Sequence, residues 1–398
     1  MHAAADRPPG ATAVAGERLD GMLGLLAELV SIPTVAGRPN GELVELLSRR
    51  LAGIGARCRT VASATRSDGL NLRARLGPDE PGGLLLAAHT DVVDVEGQAW
   101  STDPFRLTRV GDALHGRGTT DMKGFIAAAV CAAERAAAMP LRHPLTIALS
   151  SDEELGCVGV GTLLDALAAE RCSPALCLVG EPTGLRVADR HKGKVRMCAR
   201  VRGRAVHSAA APSGVNAVAY AARLAVGLDE LGRELAAAQR DESFAVPHAT
   251  LSLGPIAGGV STNIVPEHCR FEFELRLLPG QDAARPLSRA RALAAALERE
   301  MRAIAPEAEI ELDELASYPG LEAAGELPAL EGAGERIAVD FGTEAGLYAR
   351  RLRAPVAVCG PGDMGRAHRP DEYIEVGELV AAVAMLDSLV DALCEATR

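Results

Sequence analysis

Aromatic side chains are scarce: they make up 3% of 398 residues, with a single tryptophan, so any core must be built largely from alanine, leucine and valine. Positive charge is also short. The formal net charge is -11, no basic face is evident to neutralise phosphates, and a nucleic-acid partner is argued against. The acidic balance leans toward a neutral or cationic ligand. No stretch reaches the roughly 18 apolar residues of a membrane span, so no membrane association is expected. The opening "MHAAADRPPGATAVAGERLD" lacks the apolar centre of a signal peptide, and residues 1–15 read as a mobile tail. The cysteines, at 58, 131, 157, 172, 177, 198, 269, 359 and 394, are odd in number and form no Cys-x-x-Cys pair. That argues against a disulfide framework or a thiolate zinc site, and predicts reduced, mostly buried thiols in a cytoplasmic protein.

What is present is a globular composition, 48% apolar and 24% charged, in a chain too long for one ordinary core. Helical spacing runs from Glu17 to Val30, and Asn40 is placed to cap a helix bearing Leu43, Leu47, Leu51 and Ile54. Short apolar runs follow ("NLRARL", "LLLAAH", "LTIALSS", "ALCLVGE"), alternating with helical patterns at Met122–Ala138 and Val160–Ala169. This predicts an α/β domain with a mixed, largely parallel sheet and helices on both faces. Near Val187 the texture changes to half-exposed strands and two helices in the order β-α-β-β-α-β, an inserted α+β open-faced sandwich. The α/β pattern resumes after residue 315. The predicted division is 16–186 with 316–398 as catalytic domain, and 187–315 as inserted domain.

Polar groups of one chemical kind follow the apolar runs. "AAHTDVV" offers His89 and Asp91, "GRGTTDMKG" offers Asp121 before a helix start, "ALSSDEELG" offers Asp152, Glu153 and Glu154, and "CLVGEPTG" offers Glu181. "GRAHRPDEY" adds His368 after the run ending at Cys359. Ligands of open α/β sheets bind beyond the carboxyl ends of the strands. Imidazole and carboxylate suit zinc, and two ions about 3.5–4 Å apart can share one carboxylate. Two histidines and three acids favour two metals with Asp121 shared. Of the neighbours Glu153 and Glu154, one can bind metal while the other stays free as a base. Asp91, on the same side of the strand as His89, can accept its other ring N–H and fix the tautomer.

Other features carry less. "GCVGVG" does not match the dinucleotide fingerprint and follows an acidic cluster. Ser208 follows His207, but no Gly-x-Ser-x-Gly elbow supports a nucleophilic serine. His115, His191, His248 and His268 read as core or surface residues, His191 in "RHKGK" being the least settled.

In order along the chain, "HTDVV", "GRGTTDMKG", "DEELG", "GEPT", "GRAVHS", "TNIVPE" and "AHRPDEY" resemble the dizinc aminoacylase and carboxypeptidase family, which includes acetylornithine deacetylase and succinyl-diaminopimelate desuccinylase. The resemblance implies a zinc-exopeptidase-like catalytic domain. It implies one zinc (cobalt being an alternative) on His89, Asp121 and Glu181, and a second on Asp121, Glu154 and His368. Glu153 would be the general base. The inserted domain would be a lid and form a homodimer, in which His207 reaches a neighbouring subunit's site and stabilises the oxyanion. Asn263 and Arg276 match positions that bind the substrate carboxylate, with Glu274 where the family often has aspartate. "VDFGTEAGLY" resembles the deacetylase branch, because desuccinylases usually have Ser-Asp where this chain has Glu344-Ala345. Glu344 could then pair with a cationic side chain. The implied reaction is hydrolysis of an N-acyl amino acid, N2-acetyl-L-ornithine first, as in arginine biosynthesis. A desuccinylase, aminoacylase or dipeptidase is the alternative.

Overall fold

The computed structural model describes residues 16–323 and 326–395. The expected mobile tail, residues 1–15, lies outside the described residues. The chain divides into two compact units. One runs to Arg190 and resumes over Ala323–Ile337 and from Thr343 onward; the other is His191–Glu322 with Ala338–Gly342. The division falls a few residues later than the change of texture in the sequence. The strand Val187–His191 still pairs in the larger sheet, and Glu309–Tyr318 pairs wholly in the smaller one.

The larger sheet has eight strands. Its centre is four parallel neighbours in the order Leu145–Ser150, Leu84–His89, Leu176–Pro182 and Val356–Gly360. Every residue of these four is buried. That is why they read as continuous apolar runs: parallel strands are covered on both faces and have no solvent side to alternate with. Antiparallel strands Leu70–Leu76 and Arg57–Ala62 extend one edge. The helix Gly124–Ala136 is buried almost all round, as its alanine-rich sequence "FIAAAVCAAERA" allows, and shares one core with the helices Gly16–Ser31, Gly41–Gly53 and Val376–Cys394. Asn40 stands at the start of Gly41–Gly53 but does not cap it with its side chain. Its amide instead pairs with both backbone groups of Leu70 and with Thr90 Oγ1, joining helix start to strand start.

The second unit has its own core and a four-stranded antiparallel sheet ordered Thr250–Gly258, His268–Leu277, Gly193–Arg202, Glu309–Tyr318. Helices Ala217–Ala238 and Ala284–Arg302 cover the face carrying Val195, Met197, Phe271 and Phe273. The alternation legible in the sequence is this face against an Arg- and Glu-rich one. All nine cysteines are free, seven of them buried. Among the described residues no helix is long and apolar enough to cross a membrane.

Candidate metal centre

Parallel pairing puts the carboxyl ends of the four central strands along one edge, with His89 opposite Ser150 in register. His89 ends its strand, and Glu181 sits near the end of Leu176–Pro182. Gly180 before it has no room for a side chain, since a Cβ there would stand 2.1 Å from the Phe125 ring. Asp152, Glu153 and Glu154 form the turn after Leu145–Ser150, and His368 lies in the loop after Val356–Gly360 with a left-handed backbone, φ 61°. Asp121 precedes a helix start, where the sequence placed it. It belongs to the turn Thr119–Lys123 that leads into the helix Gly124–Ala136.

Asp121 is the hinge of the arrangement. Its Oδ1 lies 2.9 Å from His89 Nε2, and its Oδ2 lies 3.1 Å from His368 Nε2. Glu181 Oε1 is 3.8 Å from His89 Nε2, and Glu154 Oε1 is 3.2 Å from His368 Nε2. Two sets of three ligand atoms result, His89–Asp121–Glu181 and Asp121–Glu154–His368, each with its atoms within 4.8 Å of one another. The first set is wholly buried; in the second, the His368 side chain is 50% exposed.

The His89 ring is fixed by a contact the sequence did not indicate. Its Nδ1 lies 2.9 Å from the backbone carbonyl of Asp91. A carbonyl only accepts, so Nδ1 carries a hydrogen, and Nε2 is the ring atom turned to the acids. The Asp91 carboxylate stands back at 3.7 Å and accepts instead from the backbone N–H groups of Glu153 at 3.1 Å and Glu154 at 3.0 Å. The expected tautomer lock therefore comes from the Asp91 main chain, while its side chain holds the Glu153–Glu154 turn. Glu153 lies outside hydrogen-bond reach of either histidine and accepts from Cys157 Sγ at 3.2 Å.

Among the described residues, the ion-pair partners of Asp121, Glu154 and Glu181 are the two histidines, with no lysine or arginine. The titration of the cluster reflects that shortage of positive charge. Burial, then the charge of Asp121, pushes the Glu181 carboxyl well above the usual range. Burial also raises Glu154, and raises Glu153 to about 7. Asp121 is the exception: burial opposes its charge, but hydrogen bonds from His368 and His89 hold it low. Its own hydrogen bonds to Asp121 and Glu154 push His368 up to about 10. One imidazole and two carboxylates per set, one carboxylate common to both, is a donor set that fits two divalent cations.

Glu344 reaches the same strand ends from the start of the helix Ala345–Leu352. It is 2% exposed; Ser150 Oγ donates to its Oε2 at 2.8 Å, and its Oε1 is buried with no partner among the described residues. Burial, then the charge of Glu153, raises its pKa well above the ordinary carboxyl value.

The remaining expected residues belong to the second unit. His207 is exposed, and its Nδ1 accepts from the backbone N–H of Ala209 at 3.1 Å, which leaves Nε2–H as its free donor. Asn263 lies beside it: Ser208 N donates to Asn263 O at 2.9 Å. Arg276 is elsewhere. It pairs with Thr250 at one end of the ladder between Thr250–Gly258 and His268–Leu277, while Asn263 lies in the turn beyond the other end. Seven ladder positions separate Cys269 from Arg276, about 24 Å at strand rise. Within one chain, Asn263 and Arg276 do not meet on one carboxylate.

The model of peptidase family M20/M25/M40 matches residues 85–392. The chain belongs to that family. It is a hydrolase, and its relatives and donor set support metal-dependent cleavage of amides. The acetylornithine deacetylase of Myxococcus xanthus is 34% identical over 95% of this chain and 99% of that protein, and that of Pasteurella multocida is 30% identical over 95% and 99%. Among solved structures, an M20 family metallo-carboxypeptidase from Sulfolobus solfataricus shares the fold with TM-score 0.74 at 17% identity, over 93% of this chain and 98% of that one. A di-peptidase from Saccharomyces cerevisiae also has TM-score 0.74, at 13% identity, over 94% and 96%.

Proposed function

We propose that the chain hydrolyses N-acyl amino acids, with N2-acetyl-L-ornithine as the preferred substrate and L-ornithine and acetate as products, a step of arginine biosynthesis. The observation that carries this reading is the pair of ligand sets hinged on Asp121, with Glu153 beside them and in neither set. In it His89, Asp121 and Glu181 hold one divalent cation, and Asp121, Glu154 and His368 hold the other; zinc suits these donors and cobalt would serve. Bound divalent cations supply Lewis acidity and acidify a water from a pKa of about 16 to about 7.

The chain's own residues do the rest. Asp91 holds the Glu153–Glu154 turn by its two backbone N–H groups, so that Glu153 faces the reacting water. Glu153 takes a proton from that water as the C–O bond forms, and returns it to the amide nitrogen as the C–N bond breaks. General acid–base help of this kind gives about 10²–10⁴-fold. Glu344 answers the substrate's side-chain ammonium; its partnerless buried Oε1 supports that role, because a buried acceptor without a donor is costly.

His207 donates Nε2–H to the developing oxyanion of a neighbouring subunit in a homodimer built through the second unit. The separation of Asn263 from Arg276 supports a second subunit, since one chain does not bring both to the same carboxylate. The exposed edge strand Thr250–Gly258 and exposed Val260, at 88%, support it too. The nine free thiols support a cytoplasmic setting.

Release of free amine from N2-acetyl-ornithine, acetyl-citrulline, acetyl-methionine, succinyl-diaminopimelate and a dipeptide, with zinc or cobalt and with a chelator, tests this. Chelator-sensitive release greatest from acetyl-ornithine is expected. Greater release from another compound would move the substrate to a desuccinylase, aminoacylase or dipeptidase; none from any, with metal bound, would end the hydrolytic reading.

A further inference from the structure

The half-open ligand set draws on two segments, the Asp121 turn and the His368 loop, which a buried ion pair and several backbone hydrogen bonds hold together. Glu372 follows His368 by four residues and is 1% exposed. Its Oε1 accepts from the backbone N–H groups of Thr120 at 2.8 Å and Asp121 at 3.1 Å. Its Oε2 accepts from Arg117 at 2.6 Å, and both side chains of that pair are 1% exposed. Arg117 also donates to Gln98 Oε1 at 2.6 Å, and Gln98 Nε2 donates to the backbone carbonyl of His368 at 3.4 Å. Over this assembly lies Trp100, the only tryptophan. Its indole N–H donates to Gln98 Oε1 at 3.1 Å, and its ring centroid is 5.0 Å from Arg117 Cζ.

We propose that Glu372 is a positioning residue for the second cation: by gripping the Asp121 turn from within the loop that carries His368, it sets the distance between Asp121 Oδ2 and His368 Nε2, and Trp100 reports when that pocket fills. This rests on the two-cation reading of the site. A buried ion pair is weak evidence of stability, because desolvation offsets much of the attraction. Its geometric effect is better grounded. Two adjacent N–H groups on one carboxylate oxygen fix the direction in which Asp121 leaves the backbone, and hence where both of its oxygens fall. Removing such an outer partner typically costs about 10–100-fold in metal affinity. The cost should fall on the second cation above all. His89 and Glu181 hang on separate buried strands, whereas His368 and Glu372 share one loop.

The test is a cobalt titration of the metal-free full chain, read by visible cobalt absorption, equilibrium dialysis and tryptophan fluorescence, for the wild type, Glu372→Gln and Arg117→Lys. The wild type should take up two equivalents, with a change in Trp100 emission tracking the second. In Glu372→Gln the second equivalent should bind about 10–100-fold more weakly. The first should change less, and the fluorescence step should move with the second. Arg117→Lys keeps the charge but loses the fork to Gln98; it should shift the second equivalent in the same direction by less, and it decides the matter if Glu372→Gln does not fold. An unchanged second equivalent, or both equivalents weakened equally with a lowered melting temperature, overturns the proposal. A wild type that binds no cation instead overturns the reading of the site itself.

Discussion

His89 and His191 are equally inaccessible, 2% and 0% exposed, yet their surroundings drive their charge in opposite directions. Around His191 burial wins. Its Nδ1 meets the backbone carbonyl of Lys192 at 2.9 Å, and burial, aided by the charge of Arg276, pushes its pKa down to about 4. Around His89 burial also opposes charge, but Asp121, Glu181 and Asp91 overturn it, and the imidazole is held well above its ordinary value. His191 is a neutral core residue that needs nothing more. His89 sits beside Asp121 and Glu181, acids whose ion-pair partners among the described residues are imidazoles, and that imbalance is what a bound cation removes. Burial of a histidine is therefore uninformative alone; the charge facing it separates a packed residue from a ligand.

The sharpest way to break the contrast is to treat the two alike. His89→Ala should lose the tightly held cation and with it all measurable turnover, whereas His191→Gln should keep both, as metal analysis and initial rates will show. Glu153→Ala comes next: turnover should fall about 10²–10⁴-fold with metal content unchanged, and near-normal rates would remove Glu153 from its role. For Glu344→Gln, the preference for acetyl-ornithine over a neutral analogue should shrink about 10–100-fold, the worth of one hydrogen bond to a charged group. An unchanged preference sinks that assignment.

A smaller effect concerns stability. The folded pKa of His191, about 4, lies below its ordinary 6.5. Between those values the unfolded chain binds the extra proton, so the stabilisation present above about pH 6.5 is lost as pH falls toward 4. Denaturant midpoints of His191→Gln should fall less steeply across that window than those of the wild type; equal slopes would show that His191 does not titrate on unfolding. Smallest of all is Arg204→Ala. Its partner Glu307 is held down to about 2 chiefly by the Arg204 hydrogen bond, but this is an exposed pair on the second unit, and turnover should not change.

Much of the site was legible because buried parallel strands have no other use for His89 or Glu181 at their ends, and because Glu153 and Glu154 follow an apolar run directly. The β-α-β-β-α-β order of the second unit was legible too, from alternation in Gly193–Arg202 and His268–Leu277. What was hidden depends on distance in space. That the Asp91 main chain, and not its carboxylate, holds His89 depends on how the chain turns after the strand. Cys157 lies four residues past Glu153 in the same turn, a spacing that hinted at the contact, but a lone cysteine in a buried segment looks like packing. Glu372 is 251 residues from Asp121, and nothing in "PDEY" points to the buried Arg117 with which it pairs. Asn263 and Arg276 were named together by the family resemblance alone, and the strand register separates them within one chain.

The most direct test of the central claim is metal stoichiometry in the wild type and in Asp121→Asn, by equilibrium dialysis against zinc followed by elemental analysis. If Asp121 is shared by two ligand sets, the wild type should hold two ions per chain and the variant should hold neither tightly. Two ions retained in Asp121→Asn, or a single ion in the wild type, would contradict a centre hinged on that carboxylate.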